Sequence, residues 1–349
     1  MPYPALMHRC LELARLGQGR VGNGGLVGAV LTHGDTILAE GFHAGYGEFH
    51  AERALLDVYD RDITHEDVLY VNLEPCCHHG KTPPCTDIII ERGIKAVVYG
   101  MQDPDRRVGG QGIQALEEAG VTVIGPCEKA LCESLNKGFI QSRTNHRPYL
   151  TIKKAIALDG RTAGEKNTQL KITSKEQDDW SHQFLRARHD AILVGVGTII
   201  SDNPQLNIRF NKNTKNWLQS GLNGKKVSVN NFINPFRIIL DPDLRIPLDS
   251  TVLNDDDRGR TIICISPECE TDRESDIAEL KDAGVRIFSI VLEDGHFDWS
   301  SLWDRLLTPE GDYHGMSSIL VEGGPKTWAT FRDAGVIDEE VTLTGPASA

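Results

Sequence analysis

Hydrophobic and polar positions alternate along the first 135 residues with the period of strands and of helices in turn. Two strand-like runs, LVGAVLT (26–32) and TILAEGF (36–42), flank His33-Gly34-Asp35, which is typical of a hairpin turn. The pattern then predicts a helix from about His50, a strand at 68–73, a helix at 85–93, a strand at 96–101, a helix at 112–120, a strand at 121–125 and a short helix to Leu135. Strands separated by helices of about ten residues predict a layered α/β domain.

The periodicity breaks at NKGFIQSRTNHRPYL (136–150), where polar residues and a proline interrupt it. We therefore predict a boundary near residue 146, with one domain at 1–146 and a second at 147–349. The second domain repeats the alternation, with a helix from Ser174. Its strand-like runs are YLTIKKAIALDG (149–160), AILVGVG (191–197), RIILD (237–241), TIICIS (261–266), VRIFSIVL (285–292) and SILVEGG (318–324).

Two stretches of the second domain do not fit this alternation. The run at 211–235 is rich in Asn, Gly and Lys, and we predict a long exposed loop there. The chain stops at DEEVTLTGPASA (338–349), in a strand-like run with nothing after it. We therefore expect the second domain to be incomplete at its C-terminus.

Length and composition are those of a globular protein of two domains. The chain has 349 residues, of which 40% are hydrophobic and 25% are charged. The longest apolar runs, such as AILVGVGTII (191–200), are about half as long as a membrane span requires. The N-terminus does not resemble a signal peptide. We therefore expect a cytoplasmic protein with no membrane partner.

Charge and cysteine content restrict the ligands. The net charge is −13, and no long run of Lys and Arg occurs, which argues against a nucleic-acid partner. A small phosphorylated ligand remains compatible, because it needs only one or two cations. Eight cysteines in a cytoplasmic chain indicate metal binding rather than a disulfide framework where Cys and His cluster.

Cysteine and histidine do cluster, in LEPCCHHGKTPPCTD (73–87), between a predicted strand and a predicted helix. Thiolate and imidazole ligands suit tetrahedral zinc, and three protein ligands with one open position are typical of a catalytic site. His50, Cys76 and Cys85 would supply those ligands, and the helix dipole would favour the thiolate of Cys85. Glu52, two residues beyond His50, would transfer a proton from water to a leaving amine.

This pattern matches the His-x-Glu and Pro-Cys signature of zinc deaminases, except that eight residues separate Cys76 from Cys85 instead of two. We expect Cys77 to be a small buried residue, whereas His78 and His79 fit a solvated loop and a substrate contact equally well. The remaining cysteines are expected to be ordinary core or surface residues: Cys10, Cys127, Cys132, Cys264 and Cys269.

Over nearly its whole length the chain resembles the bifunctional riboflavin-biosynthesis deaminase–reductase family. The residues that carry the resemblance are His50-Ala51-Glu52 and EPCCHHGKTPPC (74–85), whose spacing is that of the family. The resemblance implies an α/β protein with an N-terminal cytidine-deaminase-like three-layer α/β/α domain. It implies a C-terminal dihydrofolate-reductase-like α/β domain that uses NADPH, and the family's dimer contact makes a homo-oligomer through this domain one expectation.

The resemblance also implies a reaction and a set of residues for the first domain. The 2-amino group of 2,5-diamino-6-(5-phosphoribosylamino)pyrimidin-4(3H)-one would be replaced by oxygen with release of ammonia. The second domain would then deliver hydride to C1′ of the ribosyl group and form ribityl. Zn²⁺ falls on His50, Cys76 and Cys85, and the proton shuttle on Glu52. Substrate positions fall on His43 and Lys81, and Asn23, one residue before the family's asparagine position, is a further substrate-binding candidate by hypothesis.

In the second domain the resemblance lies in KKAIALDGRTA (153–163), ITS (172–174), the run at 185–209 and LVEGGPKTW (320–328). It places the cofactor at Ala155, Thr198, Asp202, Gly324, Pro325, Lys326 and Thr327, and the substrate at Lys153, Asp159, Arg186, Leu206, Arg209 and Glu322. A strand that ends in Gly-Gly-Pro before a helix exposes backbone N–H groups to an anion. By contrast, GVGTII (195–200) lacks the third glycine of a dinucleotide-binding fingerprint.

The sequence departs from the family pattern in three places. GNGGLVG (22–28) puts Gly24 at the position of the pyrimidine-binding asparagine, with Asn23 one residue earlier. KNTQLK (166–171) replaces Gly-Glu-Ser-x-Trp, and the point where the chain stops leads us to expect that the last strands of the reductase are lost. Alternatives to the two-step enzyme are therefore a deaminase with an impaired reductase domain, a nucleoside or base deaminase with another substrate, and a regulatory protein that binds zinc without turnover.

Overall fold

The computed structural model describes residues 3–161, 172–210 and 232–345. The chain forms two compact units. The first comprises Met1–Arg147 and Pro309–Ser317, and the second comprises Pro148–Thr308 and Ser318–Ala349. The short segment Pro309–Ser317 thus belongs to the first unit although it lies far along the chain, where the sequence pattern indicated only the second domain.

The first unit contains a mixed five-stranded sheet. Its strands are β1 (Gly28–His33), β2 (Thr36–Phe42), β3 (Asp67–Leu73), β4 (Ala96–Met101) and β5 (Thr122–Ile124), in the order β2-β1-β3-β4-β5. β1 is antiparallel to β2 and β3, whereas β3, β4 and β5 are parallel. The predicted hairpin joins β1 to β2, and Gly34 in its turn has a φ of 57°, which glycine adopts without strain.

The helices of the first unit are α1 (Pro4–Ala14), α2 (Ala51–Leu56), α3 (Cys85–Glu91), α4 (Gln111–Glu118), α5 (Lys129–Leu135) and α6 (Lys137–Asn145). α6 lies in the stretch where the periodicity breaks, so the sequence pattern did not predict this helix. The buried residues of α6 are Gly138, Phe139 and Ser142. Because only one of these side chains is large and apolar, the hydrophobic periodicity that marks a helix in a sequence is too weak here to be recognised.

The core of the first unit lies between its helices and the sheet. Leu31, Leu55 and Leu69 are fully buried there, and each contributes about 2 kcal/mol by leaving water. α1 approaches β1 so closely that a Cβ at Gly28 would lie 2.1 Å from the carbonyl oxygen of Cys10. Glycine at position 28 therefore sets the distance between the helix and the sheet.

The second unit contains a seven-stranded sheet in which every neighbouring pair is parallel. The strands of this unit are β6 (Tyr149–Ala157), β7 (Ala191–Gly195), β8 (Phe236–Leu240), β9 (Thr261–Ile265), β10 (Arg286–Ser289), a small hairpin of β11 (Leu292–Glu293) and β12 (His296–Phe297), β13 (Ser318–Val321) and β14 (Glu339–Gly345). The order in the large sheet is β10-β9-β8-β7-β13-β6-β14. The strand predicted near the end of the chain is present as β14 and pairs with β6 from Glu339–Thr151 to Gly345–Ala157.

The helices of the second unit are α7 (Lys175–Trp180), α8 (Val196–Asp202), α9 (Thr251–Asn254), α10 (Pro267–Asp272), α11 (Glu274–Asp282), α12 (Trp299–Leu307) and α13 (Pro325–Asp333). The predicted helix start at Ser174 is confirmed. The Ser174 hydroxyl accepts a hydrogen bond from the Gln177 N–H, and the Gln177 side chain accepts one from the Ser174 N–H. This reciprocal capping satisfies two backbone groups that a helix start leaves unpaired.

Two predicted features lie wholly or largely outside the described residues. These are the KNTQLK stretch at 166–171 and most of the loop at 211–235. Within the part of the chain that the structure describes, no helix combines the length and the apolar character that crossing a membrane demands.

Candidate metal centre and substrate sites

Three elements of the first unit bring the predicted metal ligands together. His50 caps the N-terminus of α2, Cys76 follows β3 in the next loop, and Cys85 is the first residue of α3. Pro84 precedes Cys85 as the N-cap residue of α3, with φ −54° and ψ 142°. The alternation of strands and helices therefore places all three side chains in loops or at helix starts rather than in the middle of elements.

The three ligand atoms converge. His50 Nδ1 lies 3.5 Å from Cys76 Sγ and 3.5 Å from Cys85 Sγ, and all three ligand atoms lie within 4.8 Å of one another. Two thiols and one imidazole are the donor set of many catalytic zinc sites, and three protein donors leave a fourth position open. The residues present therefore fit zinc.

Hydrogen bonds within this group favour one thiolate. Hydrogen bonding from Cys85, the largest effect, and from His50 lowers the pKa of Cys76 despite its burial. The backbone N–H of Cys85 also donates to Cys76 Sγ at 3.4 Å. The side-chain hydrogen bond with Cys76, together with burial, raises the pKa of Cys85, and the hydrogen bond with Cys76 raises the pKa of His50. The second thiol must therefore lose its proton when a metal binds.

Glu52 lies on the first turn of α2, two residues beyond His50. Its side chain is only 3% exposed, and Oε2 has no hydrogen-bond partner among the described residues. Burial raises the pKa of Glu52 to about 7. A buried carboxyl oxygen without a partner is costly, so this atom is available to a ligand or to water.

The other predicted residues of the first unit have different surroundings. His43 is buried, its ring meets that of His50 edge to face at 5.1 Å, and burial lowers the pKa of His43. Lys81 is exposed, and its Nζ lies 3.8 Å from the centroid of the Tyr46 ring. The backbone N–H of Asn23 donates to the carbonyl of His314 at 3.3 Å. In the loop after Cys76, Cys77 is half-buried, and His78 and His79 are exposed.

Glu74 is a residue of this region to which sequence analysis gave no role. Its buried carboxylate accepts four backbone hydrogen bonds, from Asp103 (3.1 Å), Gly110 (2.9 Å), Gly112 (2.9 Å) and Ile113 (3.3 Å). These bonds tie the end of β3, directly before Pro75 and Cys76, to the loop after β4 and to the start of α4. The only feature of the sequence that could have pointed to Glu74 is its position directly before the Pro75-Cys76 pair.

Two buried asparagines fix the segment that follows Asn23, and sequence analysis missed both. Asn72 Oδ1 accepts from the N–H of Gly28 at 2.8 Å, and its Nδ2 donates to the carbonyl of Leu26 at 2.9 Å. Asn136 Oδ1 accepts from the N–H of Leu26 at 2.8 Å. Their partners are backbone groups far away along the chain, so no spacing in the sequence marks them.

In the second unit, Glu322 follows β13 and binds two of the predicted cations. Arg186 donates to it twice, at 2.8 Å from Nε and 2.7 Å from Nη2, and Lys153 Nζ lies at 3.4 Å. Burial alone would raise the pKa of Glu322, but the charges of Arg186 and Lys153 outweigh burial and hold the pKa well below its ordinary value. Three predicted substrate residues thus form one charged cluster.

Arg209 and His182 lie beside this cluster. The backbone N–H of Arg209 donates to the carbonyl of His182 at 3.4 Å. Burial and the charges of Arg186 and Arg209 lower the pKa of His182 to about 4, so its imidazole is neutral at pH 7. His182 lies on a π-helical turn, Ser181–Leu185, and nothing in the sequence pattern had singled it out.

Two other predicted substrate residues are placed differently. Asp159 is exposed and forms an ion pair with Arg161 at 2.7 Å. Leu206 has a side chain that is only 2% exposed and packs in the hydrophobic core, with a φ of 49°. A side chain in the core cannot contact a ligand, which leaves only the backbone of Leu206 for that role.

The predicted cofactor residues lie mainly on two helices, α8 and α13, which follow the carboxyl ends of the neighbouring parallel strands β7 and β13. A Cβ at Gly195, the last residue of β7, would lie 3.2 Å from Thr327 Oγ1, and one at Gly323, after β13, would lie 2.6 Å from Thr327 Cβ. Gly324 caps α13 next to open space. Pro325, Lys326 and Thr327 form the first turn of α13, Thr198 and Asp202 belong to α8, and Ala155 belongs to β6. Crevices at the carboxyl ends of parallel strands are the usual ligand sites of such sheets.

These units define a zinc deaminase domain joined to a second, parallel-sheet α/β domain. Residues 3–101 match the model of the cytidine and deoxycytidylate deaminase zinc-binding region, and residues 148–348 match that of the RibD C-terminal domain. The chain belongs to the RibD family of riboflavin biosynthesis proteins. The α/β fold class with these two domains, which the sequence resemblance predicted, is thereby confirmed.

Relatives and solved structures agree with this assignment. The chain is 36% identical to the riboflavin biosynthesis protein RibD of Aquifex aeolicus over 97% of its own length and 86% of that protein. It is 32% identical to the RibD protein of Escherichia coli over the same shares. Acinetobacter baumannii RibD superposes with a TM-score of 0.79 at 28% identity, covering 99% of this chain and 87% of that one. A Thermotoga maritima diaminohydroxyphosphoribosylaminopyrimidine deaminase/5-amino-6-(5-phosphoribosylamino)uracil reductase gives 0.73 at 34% identity, covering 95% and 84%.

Proposed function

We propose that this protein catalyses two consecutive steps of riboflavin biosynthesis. The first is hydrolytic deamination of 2,5-diamino-6-(5-phosphoribosylamino)pyrimidin-4(3H)-one by the domain at 1–146. The second is NADPH-dependent reduction of the ribosyl side chain to ribityl by the domain at 147–349. The observation that carries the proposal is the convergence of His50, Cys76 and Cys85. Two residues after His50, a buried oxygen of Glu52 has no hydrogen-bond partner among the described residues.

In the deamination, a C–O bond to water forms at the carbon that carries the amino group, and the C–N bond breaks to release ammonia. Zinc held by His50, Cys76 and Cys85 supplies Lewis-acid activation of water when it is bound. Glu52 accepts the proton at Oε2 and returns it to the leaving nitrogen. A pKa of about 7 suits both halves of this transfer at neutral pH.

Asn23, His43 and Lys81 are proposed to hold the substrate of the first step. His43 is buried beside His50 and is neutral at pH 7 because burial lowers its pKa, so it serves as a hydrogen-bonding group rather than a charge. Lys81 carries a positive charge in the loop that joins two of the metal ligands. An exposed ammonium there suits the phosphate end of the substrate.

In the reduction, the charged cluster of the second unit is proposed to bind the same phosphorylated chain. Lys153, Arg186 and Arg209 supply cations, and Glu322 fixes the orientation of Lys153 and Arg186. The remaining substrate positions proposed are Asp159 and the backbone of Leu206. NADPH is proposed to bind at Ala155, Thr198, Asp202 and Gly324–Thr327, with its pyrophosphate on the exposed N–H groups at the start of α13.

One assay tests both steps in the purified full-length protein. With the phosphorylated diaminopyrimidine as substrate, ammonia release reports the deaminase and NADPH oxidation reports the reductase. Ammonia without NADPH oxidation would support a deaminase with an impaired reductase domain. Bound zinc with neither product would contradict the proposal. Sedimentation analysis of the same preparation tests the expected homo-oligomer.

A further inference from the structure

The segment Pro309–Ser317, which we call the returning segment, is part of the deaminase unit although the chain reaches it only after most of the second unit. It forms a tight turn in which Glu310 and Tyr313 exchange backbone hydrogen bonds of 2.8 and 3.0 Å. Tyr313 and Met316 are almost fully buried. The returning segment is therefore anchored by its own side chains and holds His314 in a fixed place.

Two glycines of the first unit allow the returning segment to approach closely. A Cβ at Gly22 would lie 2.1 Å from the carbonyl oxygen of His314, and one at Gly138 would lie 2.6 Å from that of Ser317. The N–H of Asn23 donates to the same His314 carbonyl. Gly22 and Asn23 belong to the stretch that departs from the family pattern, so this chain has a backbone suited to this contact.

The His314 ring contacts Tyr46, in the loop that leads to His50, and Lys81 of the loop between Cys76 and Cys85 contacts the same tyrosine. The His314 ring stacks on the ring of Tyr46 with a centroid distance of 4.3 Å and an interplanar angle of 19°. Lys81 Nζ lies 3.8 Å from the centroid of the same Tyr46 ring. Tyr46 lies between His43 and His50 in the chain, and Lys81 lies between Cys76 and Cys85. Both distances are measured to the Tyr46 ring centroid. The Lys81 ammonium nitrogen and the centre of the His314 ring are therefore no farther apart than the two distances added together.

Both nitrogen groups are available to an anion. In the ranges 3–161, 172–210 and 232–345, no carboxylate forms an ion pair with Lys81, and the His314 ring has no hydrogen-bond partner. Tyr46 and His314 are half-buried, so an anion bound there would be partly shielded from water. In a chain of net charge −13, an ammonium and an imidazole without acidic partners indicate a site for negative charge.

We propose that His314 is a further substrate-binding residue of the deaminase, which contacts the 5′-phosphate together with Lys81. This inference rests on the proposed deaminase function and deepens it. It means that the second half of the chain completes the substrate site of the first half by means of the returning segment. The role of His314 is one of binding, so its loss acts on KM and not on kcat.

The test compares the phosphorylated diaminopyrimidine with the corresponding riboside, which lacks the phosphate, in full-length protein. His314→Ala should raise KM for the phosphorylated substrate about tenfold, the effect of one lost charge-assisted hydrogen bond. It should leave kcat and the KM for the riboside unchanged. His314→Gln, which keeps a donor, should recover part of the affinity. The matched control is His65→Ala, an exposed histidine of the same unit whose side chain is 86% exposed.

An equal loss with both substrates, or no change in KM for the phosphorylated one, would overturn the inference. Zinc content and circular dichroism of each variant should equal those of the wild type, which excludes misfolding as the cause of a loss. Wild-type protein that releases no ammonia from either substrate would overturn the proposed function, and this inference with it. Wild-type turnover with an unaffected His314→Ala variant would overturn the inference alone.

Discussion

Arg186 and Glu322 form a two-pronged ion pair inside the second unit, with distances of 2.8 Å from Nε to Oε1 and 2.7 Å from Nη2 to Oε2. The side chains are 5% and 6% exposed. Arg186 also donates to the carbonyl of Asn207 at 2.8 Å, and Lys153 adds a second cation to Glu322. Buried charges of this kind depend on one another, because each loses its water on folding.

Glu322→Gln should lower the free energy of unfolding of the second unit by about 3 kcal/mol, because it leaves Arg186 buried without an opposite charge. Urea denaturation followed by tryptophan fluorescence measures this loss. The control is Asp159→Asn, which removes the acid of an exposed ion pair with Arg161 and should change the urea midpoint little. An equal shift in both variants would contradict the importance of burial.

The same carboxylate predicts a dependence of stability on pH. The pKa of Glu322 is lower in the folded protein than the ordinary value of about 4.3 that it regains on unfolding. Its contribution is therefore complete above that ordinary value and is lost as the pH falls below it, where the unfolded state binds the extra proton. Between pH 7 and pH 3, wild-type stability should fall more steeply than that of Glu322→Gln. If the free energies of unfolding of the two proteins fall in parallel as the pH decreases, Glu322 is not the cause of the loss of stability in acid.

Glu52→Gln should reduce ammonia release by at least about a hundredfold, because an amide cannot carry the proton. Zinc content by elemental analysis should stay at the wild-type level, since Glu52 is not one of the three converging ligands. Stability should not decrease, because Oε2 has no partner to lose among the described residues. Ammonia release at the normal rate would remove Glu52 from the proton transfer.

Cys85→Ser should lower the zinc stoichiometry, because it removes one of the three converging ligand atoms. Cys77→Ser is the matched control: Cys77 is adjacent to Cys76 in the chain but is not part of the converging group, so its variant should keep a full complement of zinc. Elemental analysis after dialysis against a weak chelator measures both. Full zinc in Cys85→Ser would exclude that residue from the ligand set.

The sequence predicted the metal residues because ligand chemistry and periodicity agree there. His50, Cys76 and Cys85 are residue types that zinc prefers, and each lies in a loop or at a helix start that the pattern of strands and helices marks. The pattern missed α6, in which Phe139 is the only large apolar side chain among the buried residues. Most strands were predicted correctly because their apolar runs are continuous in a buried parallel sheet.

Contacts between distant segments could not be predicted in this way. Asn136 binds the backbone of Leu26, which lies 110 positions away in the chain. Because every residue has a backbone carbonyl and nearly every residue a backbone N–H, nothing in the sequence marks Leu26 as the partner of Asn136. The returning segment is a related case, since its place in the first unit depends on packing and on close approaches at glycine. Such contacts follow from the folded arrangement and leave no period in the sequence.

Glu74 gives the last prediction, on a residue that positions the metal loop without touching substrate. Its carboxylate accepts from the N–H groups of Gly110 and Gly112, each at 2.9 Å. In Glu74→Gln the amide NH₂ must face some of these donors, so buried N–H groups lose their acceptor. We expect a loss of about 2 kcal/mol in the free energy of unfolding of the first unit.

Because Glu74 directly precedes Pro75 and Cys76, the Glu74→Gln variant should also bind zinc about tenfold more weakly, as is usual when a support behind the ligands is removed. Competition with a chromophoric chelator measures this affinity. Glu117→Gln, on the exposed face of the same helix α4, is the matched control and should match the wild type in both measurements. If the Glu74→Gln protein is less stable but binds zinc as tightly as the wild type, Glu74 stabilises the fold and does not position the metal ligands.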